Sequence, residues 1–340
     1  MFTKPLWIGN NKQTIMRKGA FVISLDFEMM WGVKDIYTPE GYGMTNIKNI
    51  KKVIGSMLDL FKTYNIRATF ATVGLIMLNN KNEALANIPN QIPSYSNPVL
   101  SPYTDNYIER IKENDADLYF APSIIDMLKA SKNIEIGTHT FCHYNCYAPG
   151  QTIEQFEEDL KKAIEVATDK GIDVKSIVFP RNQVSNEYLA ICAKYGIEVY
   201  RGNPDRFFSR TNNSFERTKN RIGRLLDNYI SFGANTSYKY EKIDADMMPV
   251  NICASRFFRP YNKKLFFLEP LCKHRIRKEM EYAALHGEVY HLWWHPHNFG
   301  MHTEKNMEKL EYVLKCYKVC HEKYGMESYS MGDLSNRIRK

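Results

Sequence analysis

Residues Phe21–Glu28, FVISLDFE, begin the pattern that decides the fold. This run is short, apolar and rich in β-branched side chains, which is typical of a buried strand. Residues 46–65, NIKNIKKVIGSMLDLFKTYN, then repeat apolar side chains at helical spacing, and residues 66–74, IRATFATVG, again favour a strand. A strand, a helix and a second strand in succession form a βαβ unit, so we predict a parallel sheet or barrel.

The same alternation continues along most of the chain. Further strands are predicted at 134–140, 174–180, 197–202 and 288–295, with strong amphipathic helices at 152–171 and 304–325 between and after them. Two less regular segments are predicted to be insertions, because long loops in a compact domain are usually lids or binding loops. The predicted organisation is an N-terminal extension (1–20), one α/β barrel domain (21–325) with insertions at about 79–122 and 210–271, and a C-terminal tail (326–340).

Composition narrows the class of protein without choosing a ligand. The chain has 340 residues, a hydrophobic fraction of 44% and a net charge of +8, which fits a globular protein and favours anionic partners only weakly. The first 21 residues contain no continuous apolar segment, so no secretion signal is predicted. The sequence has no run of about 18 apolar residues, so no membrane span is predicted. Seven cysteines without a framework pattern are then expected to be thiols in a reducing compartment. The predicted location is the cytoplasm, and no nucleic-acid partner is expected.

Polar side chains collect where the predicted strands end. In parallel α/β folds this edge of the sheet binds ligands. The side chains are two carboxylates, one arginine and four histidines: Asp26, Glu28, His139, His143, Arg181, His295 and His297. Each taken alone is equally consistent with a loop or core residue, but their shared position favours a site.

The segment Gly137–Cys146, GTHTFCHYNC, allows two metal-site interpretations. A His-x₃-His spacing places both imidazoles on one face of a turn, where they can share a metal. Cys142 and Cys146 interleave with these histidines and suggest a structural zinc site instead. Four ligands within one turn close a tetrahedron poorly, so we interpret the cysteines as packing thiols.

The stretches SLDFE, HTFCH, FPRNQ and HLWWHPH together resemble the motifs of the polysaccharide deacetylase family, carbohydrate esterase family 4 or the NodB-homology domain. The resemblance extends over roughly Phe21–His297. It implies a distorted (β/α)7-type barrel of parallel strands with inserted loop regions. It also implies a hydrolase that removes an N-acetyl group from a sugar with the help of a divalent metal, with zinc preferred.

Carried over to this sequence, the resemblance implies a role for each residue. Asp26 is the expected catalytic base, His295 the expected acid and Arg181 an accessory catalytic residue. Glu28, His139 and His143 are the expected metal ligands. The expected substrate-binding residues are Leu292, Trp293, Trp294 and His297.

The sequence departs from the family pattern in three motifs. Phe27 separates Asp26 from Glu28 where the family usually has adjacent aspartates, so which carboxylate is the base and which the ligand stays open. FPRNQ places proline before Arg181 rather than after it, and Asp205 is only a poor match to the fourth motif.

These residues nonetheless provide every group that the expected hydrolysis needs. A two-histidine, one-carboxylate site leaves positions for water and a carbonyl. A second carboxylate can take a proton, and a histidine can donate one to the departing nitrogen.

The expected substrate is an acetylated sugar in surface polysaccharide biosynthesis, carried by a nucleotide or a lipid, and peripheral membrane contact stays open. Two alternatives remain. One is another metal-dependent C–N amidohydrolase on the same scaffold, and the other is an inactive carbohydrate- or nucleic-acid-binding relative.

Overall fold

The computed structural model describes residues 17–203 and 236–340. Asp205 and residues 210–235 of the second predicted insertion therefore lie outside the described residues. Within the described ranges the strands are β1 (Ala20–Phe27), β2 (Ala68–Thr72), β3 (Ile134–Thr138), β4 (Ser176–Ile177), β5 (Val199–Tyr200), β6 (Val250–Asn251), β7 (Arg256–Phe257), β8 (Val289–Trp294) and β9 (Glu327–Tyr329).

The α-helices pack around this sheet. They are α1 (Ile50–Thr63), α2 (Lys81–Ala86), α3 (Pro122–Ala130), α4 (Ile153–Asp169), α5 (Asn186–Lys194), α6 (Glu269–His286), α7 (Thr303–Tyr324) and α8 (Met331–Arg339). In α1, for example, Val53, Met57 and Phe61 share one apolar face, and this face is buried. None of the helices in the described ranges is both long and apolar enough to cross a membrane.

The strands form one parallel sheet in the order β6-β5-β4-β3-β2-β1-β8-β7, with β9 pairing with β1 outside this path. The sheet curls into a half-barrel, which confirms the predicted parallel α/β barrel class. Alternation along β1 shows the two faces. Phe21, Ile23 and Leu25 point outward to the helices, whereas Ala20 and Val22 belong to a separate inner cluster.

One contact demonstrates the curl directly. Arg201 follows β5 and Asp26 lies on β1, and three strands separate β5 from β1 in the sheet. Four strand spacings in a flat sheet amount to about 19 Å. The guanidinium of Arg201 nevertheless lies 2.6 Å from the Asp26 carboxylate, so the side chain reaches across the concave interior.

The segments outside the regular alternation also contribute to the packing. In the 79–122 insertion, Tyr107, Tyr119 and Phe120 pack edge-on around the buried Trp31. In the 326–340 segment, β9 pairs with the first half of β1, and α8 buries Met331 and Leu334 against the sheet. The end of the chain therefore supports β1, the strand that carries the SLDFE motif.

Candidate functional site

Strand β1 delivers both carboxylates to the carboxyl edge of the sheet. Every residue of β1 is buried, because β2 and β8 pair with its two edges. Asp26 is the last inward-facing residue of β1, and Glu28 follows the strand directly. Met29 then takes a left-handed backbone conformation (φ 48°), which ends the strand and turns the chain.

The HTFCH loop is held by hydrogen bonds to its backbone. The buried Asp159 carboxylate of α4 accepts the amide N–H groups of Phe141 (2.7 Å) and Cys142 (3.1 Å). The Thr140 Oγ1 accepts the Tyr144 amide (2.7 Å), and Thr140 and His143 adopt positive φ angles. Burial raises the pKa of Asp159 to about 6, although these backbone donors act in the opposite direction. Asp159 thus orients the loop that carries both histidines.

Glu28, His139 and His143 converge on one buried point. Glu28 Oε2 lies 3.4 Å from His139 Nε2 and 3.0 Å from His143 Nε2, and the three candidate ligand atoms all lie within 4.8 Å of one another. Two imidazoles and one carboxylate form a donor set that can hold a divalent metal and leave positions open.

The hydrogen bonding of His139 fits a metal ligand. Its Nδ1–H donates to the Val178 carbonyl (2.7 Å), which leaves the Nε2 lone pair directed at Glu28. The Nε2 atom is buried and has no hydrogen-bond partner among the described residues. A histidine fixed through one ring nitrogen and open at the other is the usual arrangement of a zinc ligand.

The charge states of this cluster are also suited to a cation. Burial would raise the pKa of Glu28, but the surrounding histidines His295, His139 and His143 outweigh it and hold that pKa well below its ordinary value. Burial lowers the pKa of His143, which keeps its imidazole neutral. Metal ligation requires an ionised carboxylate and neutral imidazoles.

Asp26 has a different partner, the buried Arg201. Nη1 and Nη2 of Arg201 donate to the two carboxylate oxygens of Asp26 at 2.6 and 2.8 Å, a bidentate pair. Burial raises the pKa of Asp26, but the Arg201 guanidinium, together with His139 and His295, outweighs burial, and the net pKa lies below its ordinary value. Asp26 is therefore a stable carboxylate beside the Glu28 cluster.

Arg201 is itself fixed by a chain of neutral groups. Its guanidinium donates to Ser24 Oγ (3.0 Å) and Asn182 Oδ1 (2.9 Å) and lies 4.2 Å from the centroid of the Trp293 ring. His291 donates from Nδ1 to the Cys253 carbonyl (3.1 Å), so its Nε2 accepts the Ser24 hydroxyl (2.8 Å). Burial lowers the pKa of His291 to about 3, which keeps this acceptor available.

His295 lies between the two carboxylates. Its Nε2 is 3.7 Å from Asp26 Oδ2 and 3.5 Å from Glu28 Oε1, and its side chain keeps 24% exposure. On the other side of the ring, Asn298 Nδ2 approaches His295 Nδ1 at 3.4 Å, and the Tyr42 hydroxyl donates to Asn298 Oδ1 at 2.9 Å. His295 can therefore reach solvent and both acids at once.

His297 and Trp293 complete the inner wall. His297 is buried, with Nε2 3.9 Å from Glu28 Oε1, and burial lowers its pKa to about 3. Trp293 is partly exposed and packs on Phe257, with ring centroids 4.8 Å apart.

The structure does not bring three of the predicted site residues to this cluster. Leu292 and Trp294 lie on the opposite face of β8, where Trp294 packs against Phe258 and Phe299, because side chains alternate along a strand. Arg181 does not contact Asp26. Instead its Nη2 pairs with Asp35 at 2.6 Å near the surface. The arginine beside the predicted base is Arg201, which sequence reasoning missed.

The two cysteines of the loop do not join the histidines. Cys142 and Cys146 are buried free thiols, and burial raises the pKa of both well above the ordinary value. Such thiols are poor ligands because a metal binds the thiolate. Within the described ranges, the cluster with metal-ligating geometry consists of Glu28, His139 and His143.

Comparison with known proteins relates part of the chain to a family. The sequence model described as polysaccharide deacetylase matches residues 40–200, a range that contains both histidines of the HTFCH loop. Over these residues the chain is similar to the polysaccharide deacetylase family. The predicted resemblance is confirmed, although the matched range includes neither Asp26 and Glu28 nor His295. A search of curated proteins gives no match.

Solved structures share the fold at low identity. A putative polysaccharide deacetylase from Mycobacterium smegmatis has a TM-score of 0.59 and 13% identity, with 96% of this chain and 92% of that chain covered. The Puue allantoinase has a TM-score of 0.51 and 10% identity, with 96% and 91% covered. A GH57-type branching enzyme from the archaeon Pyrococcus horikoshii has a TM-score of 0.50 and 10% identity, with 95% and 71% covered. These likenesses concern the fold.

Proposed function

We propose that the chain is a member of the polysaccharide deacetylase family and a metal-dependent hydrolase that removes an N-acetyl group from a sugar or glycan precursor in surface polysaccharide biosynthesis. One observation carries the proposal. Two neighbouring carboxylates have different partners, since Glu28 faces two imidazoles and Asp26 is paired with a guanidinium. Carboxylates with such different environments are suited to different tasks.

Glu28, His139 and His143 would hold the divalent cation, with zinc preferred for a set of two imidazoles and one carboxylate. When bound, such a cation lowers the pKa of water and polarises a carbonyl oxygen. The orphaned Nε2 of His139 and the ionised Glu28 support this assignment. The geometry thus favours Glu28 over Asp26 as the ligand.

Asp26 is the proposed base. Its pKa lies below the ordinary value, so it is ionised at neutral pH and can accept a proton from the attacking water. Each carboxylate oxygen has two acceptor positions. Arg201 Nη2 occupies one position on Oδ2, so the other can take the proton of the water. The bidentate contact fixes the carboxylate plane, and Arg201 is in this sense a positioning residue.

His295 is the proposed acid. Its Nε2 lies within 4 Å of both carboxylates, and its partial exposure lets it approach the departing nitrogen. A proton donated by His295 would let the nitrogen leave as a neutral amine when the C–N bond breaks. Trp293 is the wall residue whose position supports a substrate-binding role, and His297 lies behind the site.

The proposed substrate is an acetylated sugar on a nucleotide or lipid carrier, in agreement with the carbohydrate chemistry of the family. A second candidate is hydrolysis of another C–N bond, because the chain shares its fold with an allantoinase. Product analysis separates the two. Release of acetate from an acetylated sugar supports deacetylation, and turnover of a ureide without acetate release supports the second candidate.

Metal content and turnover together test the assignment of roles. Purified protein should contain about one divalent cation per chain. His139→Ala and His143→Ala should each lose the cation while the fold persists, and Asp26→Asn should keep the cation and lose acetate release. The exposed His286→Ala is the matched control and should behave as wild type.

Two results would contradict this assignment. Retained metal and continued acetate release in all three variants would exclude the proposed roles. Wild-type protein that binds no cation, with an intact fold, would instead favour a non-catalytic relative.

A further inference from the structure

A turn beside the candidate site exposes large apolar side chains. Phe266 and Phe267 are 62% and 61% exposed, and Leu271 is 48% exposed. They lie in the turn Lys263–Leu268 and the first turn of α6, and the two phenyl rings pack edge-on against each other with centroids 6.0 Å apart. Adjacent exposed aromatic residues of this kind indicate a surface that binds something.

The exposed charged side chains of this turn and of the following part of α6 are basic. Between 262 and 278 the exposed positions, all within the described part of the chain, carry no carboxylate. They are Asn262, Lys263, Lys264, Phe266, Phe267, Pro270, Leu271, His274 and Lys278. The acid of this segment, Glu269, is buried and pairs with Lys309 at 2.8 Å. The surface therefore complements an anionic partner.

The residues are arranged along one side of α6. Leu271, His274 and Lys278 are spaced by three and four positions and share a face of the helix. Apolar side chains lie at its N-terminal end and basic ones further along. Apolar residues flanked by lysines match the boundary between acyl chains and anionic headgroups.

The turn adjoins the candidate site. A cavity of about 220 Å³ is lined by Phe257, Arg259, Pro260, Tyr261, Asn262 and Asn298. Asn298 contacts His295, and the Phe257 ring lies 6.0 Å from the His295 ring. At the other end Asn262 caps the exposed turn by accepting the Lys264 amide at 2.8 Å. The exposed turn thus begins at a residue that lines the cavity.

We propose that the docking patch, defined as Lys263, Lys264, Phe266, Phe267 and Leu271, binds the surface of an anionic lipid bilayer. Docking there turns the neighbouring cavity toward the membrane, which suits an acetylated sugar attached to a lipid. The link to a lipid-attached sugar rests on the proposed function, whereas the binding of the patch to the bilayer does not.

Vesicle sedimentation tests the docking. Wild-type protein should sediment with vesicles of equal parts phosphatidylcholine and phosphatidylglycerol, and much less with phosphatidylcholine alone. Phe266→Ser/Phe267→Ser should lower the partition at least about 10-fold, since two phenyl groups no longer insert. Lys263→Gln/Lys264→Gln should lower it about 10-fold and weaken its dependence on salt.

The matched control is Leu285→Ser/Val319→Ser, which changes two side chains that are 51% and 53% exposed elsewhere on α6 and α7. It should sediment as wild type. Thermal unfolding of every variant should match wild type, because all the substituted positions are exposed.

Three outcomes would overturn the docking. Wild type could stay in the supernatant, the Phe266→Ser/Phe267→Ser variant could sediment like wild type, or a concentration-dependent dimer could disappear in that variant, which would assign the patch to a second copy. Acetate release from a water-soluble sugar separates this proposal from the proposed function. Activity without vesicle binding would contradict only the docking proposal. Vesicle binding without activity would contradict only the proposed hydrolase function.

Discussion

Two arginine–aspartate pairs lie near the mouth of the barrel, and they differ in almost every physical respect. Arg201 and Asp26 are buried, with side-chain exposures of 0% and 4%, and they form a bidentate contact. Arg181 and Asp35 are 37% and 16% exposed and share a single contact at 2.6 Å. A buried, doubly bonded pair fixes the plane of a carboxylate, whereas a surface pair is screened by water and contributes little. The contrast explains why Arg201, and not Arg181, is the partner of the proposed base.

The largest expected difference between the pairs is in stability. Arg201→Ala leaves the Asp26 charge buried without a partner, which should lower the free energy of unfolding by about 3–5 kcal/mol. Arg181→Ala should lower it by less than about 1 kcal/mol. Urea unfolding at pH 7 measures both. The double variant Arg201→Ala/Asp26→Ala should recover part of the loss, since no unpaired charge remains. A larger loss for Arg181→Ala would reverse the comparison.

A smaller difference is expected in turnover. Arg201→Lys keeps the charge but removes the fork that holds both oxygens of Asp26, and the misplaced base should lower kcat about 100-fold. Arg181→Lys should change kcat less than about 5-fold. Acetate release at saturating substrate provides the measurement, with metal content checked in parallel. Equal kcat values for the two variants would mean that Arg201 does not orient the base.

The smallest expected effect concerns His291, which supports Arg201 through Ser24. The fold lowers the pKa of His291 from 6.5 to about 3, so the unfolded chain takes up a proton that the folded chain refuses. The resulting stability is present above pH 6.5 and is lost as the pH falls toward 3. At pH 5 the loss amounts to about 2 kcal/mol.

Urea unfolding between pH 7 and pH 5 tests this linkage. His291→Asn should reduce the pH dependence by about one proton. An identical slope in wild type and in His291→Asn would show that the polar chain behind Arg201 does not titrate as described.

The sequence predicted the parts of the site that depend on one strand at a time. Asp26 and Glu28 follow an apolar run, and His139 and His143 follow another, so their position at the carboxyl edge could be read from periodicity. Alternation along β8 could also have excluded Leu292 and Trp294 from the site, because they share one face of the strand while Trp293 and His295 share the other.

The pairing of Arg201 with Asp26 depends on the curl of the whole sheet. The two residues are 175 positions apart in the chain, and three strands lie between β5 and β1 in the sheet. No local pattern encodes that approach. Arg201 lies near the end of the strand predicted at 197–202, which is the one signal that could have placed it beside the other rim residues. The FPRNQ motif drew attention to Arg181 instead.

The pairing of β9 with β1 has a consequence for biosynthesis. Strand β1 is made early, yet the edge of its first half is completed only by Glu327–Tyr329, close to three hundred residues later. Contacts between such distant segments form late, because the intervening chain must be ordered first. While the ribosome is still translating α7, that edge has open backbone groups, and the nascent chain is then most exposed to mispairing with other strands.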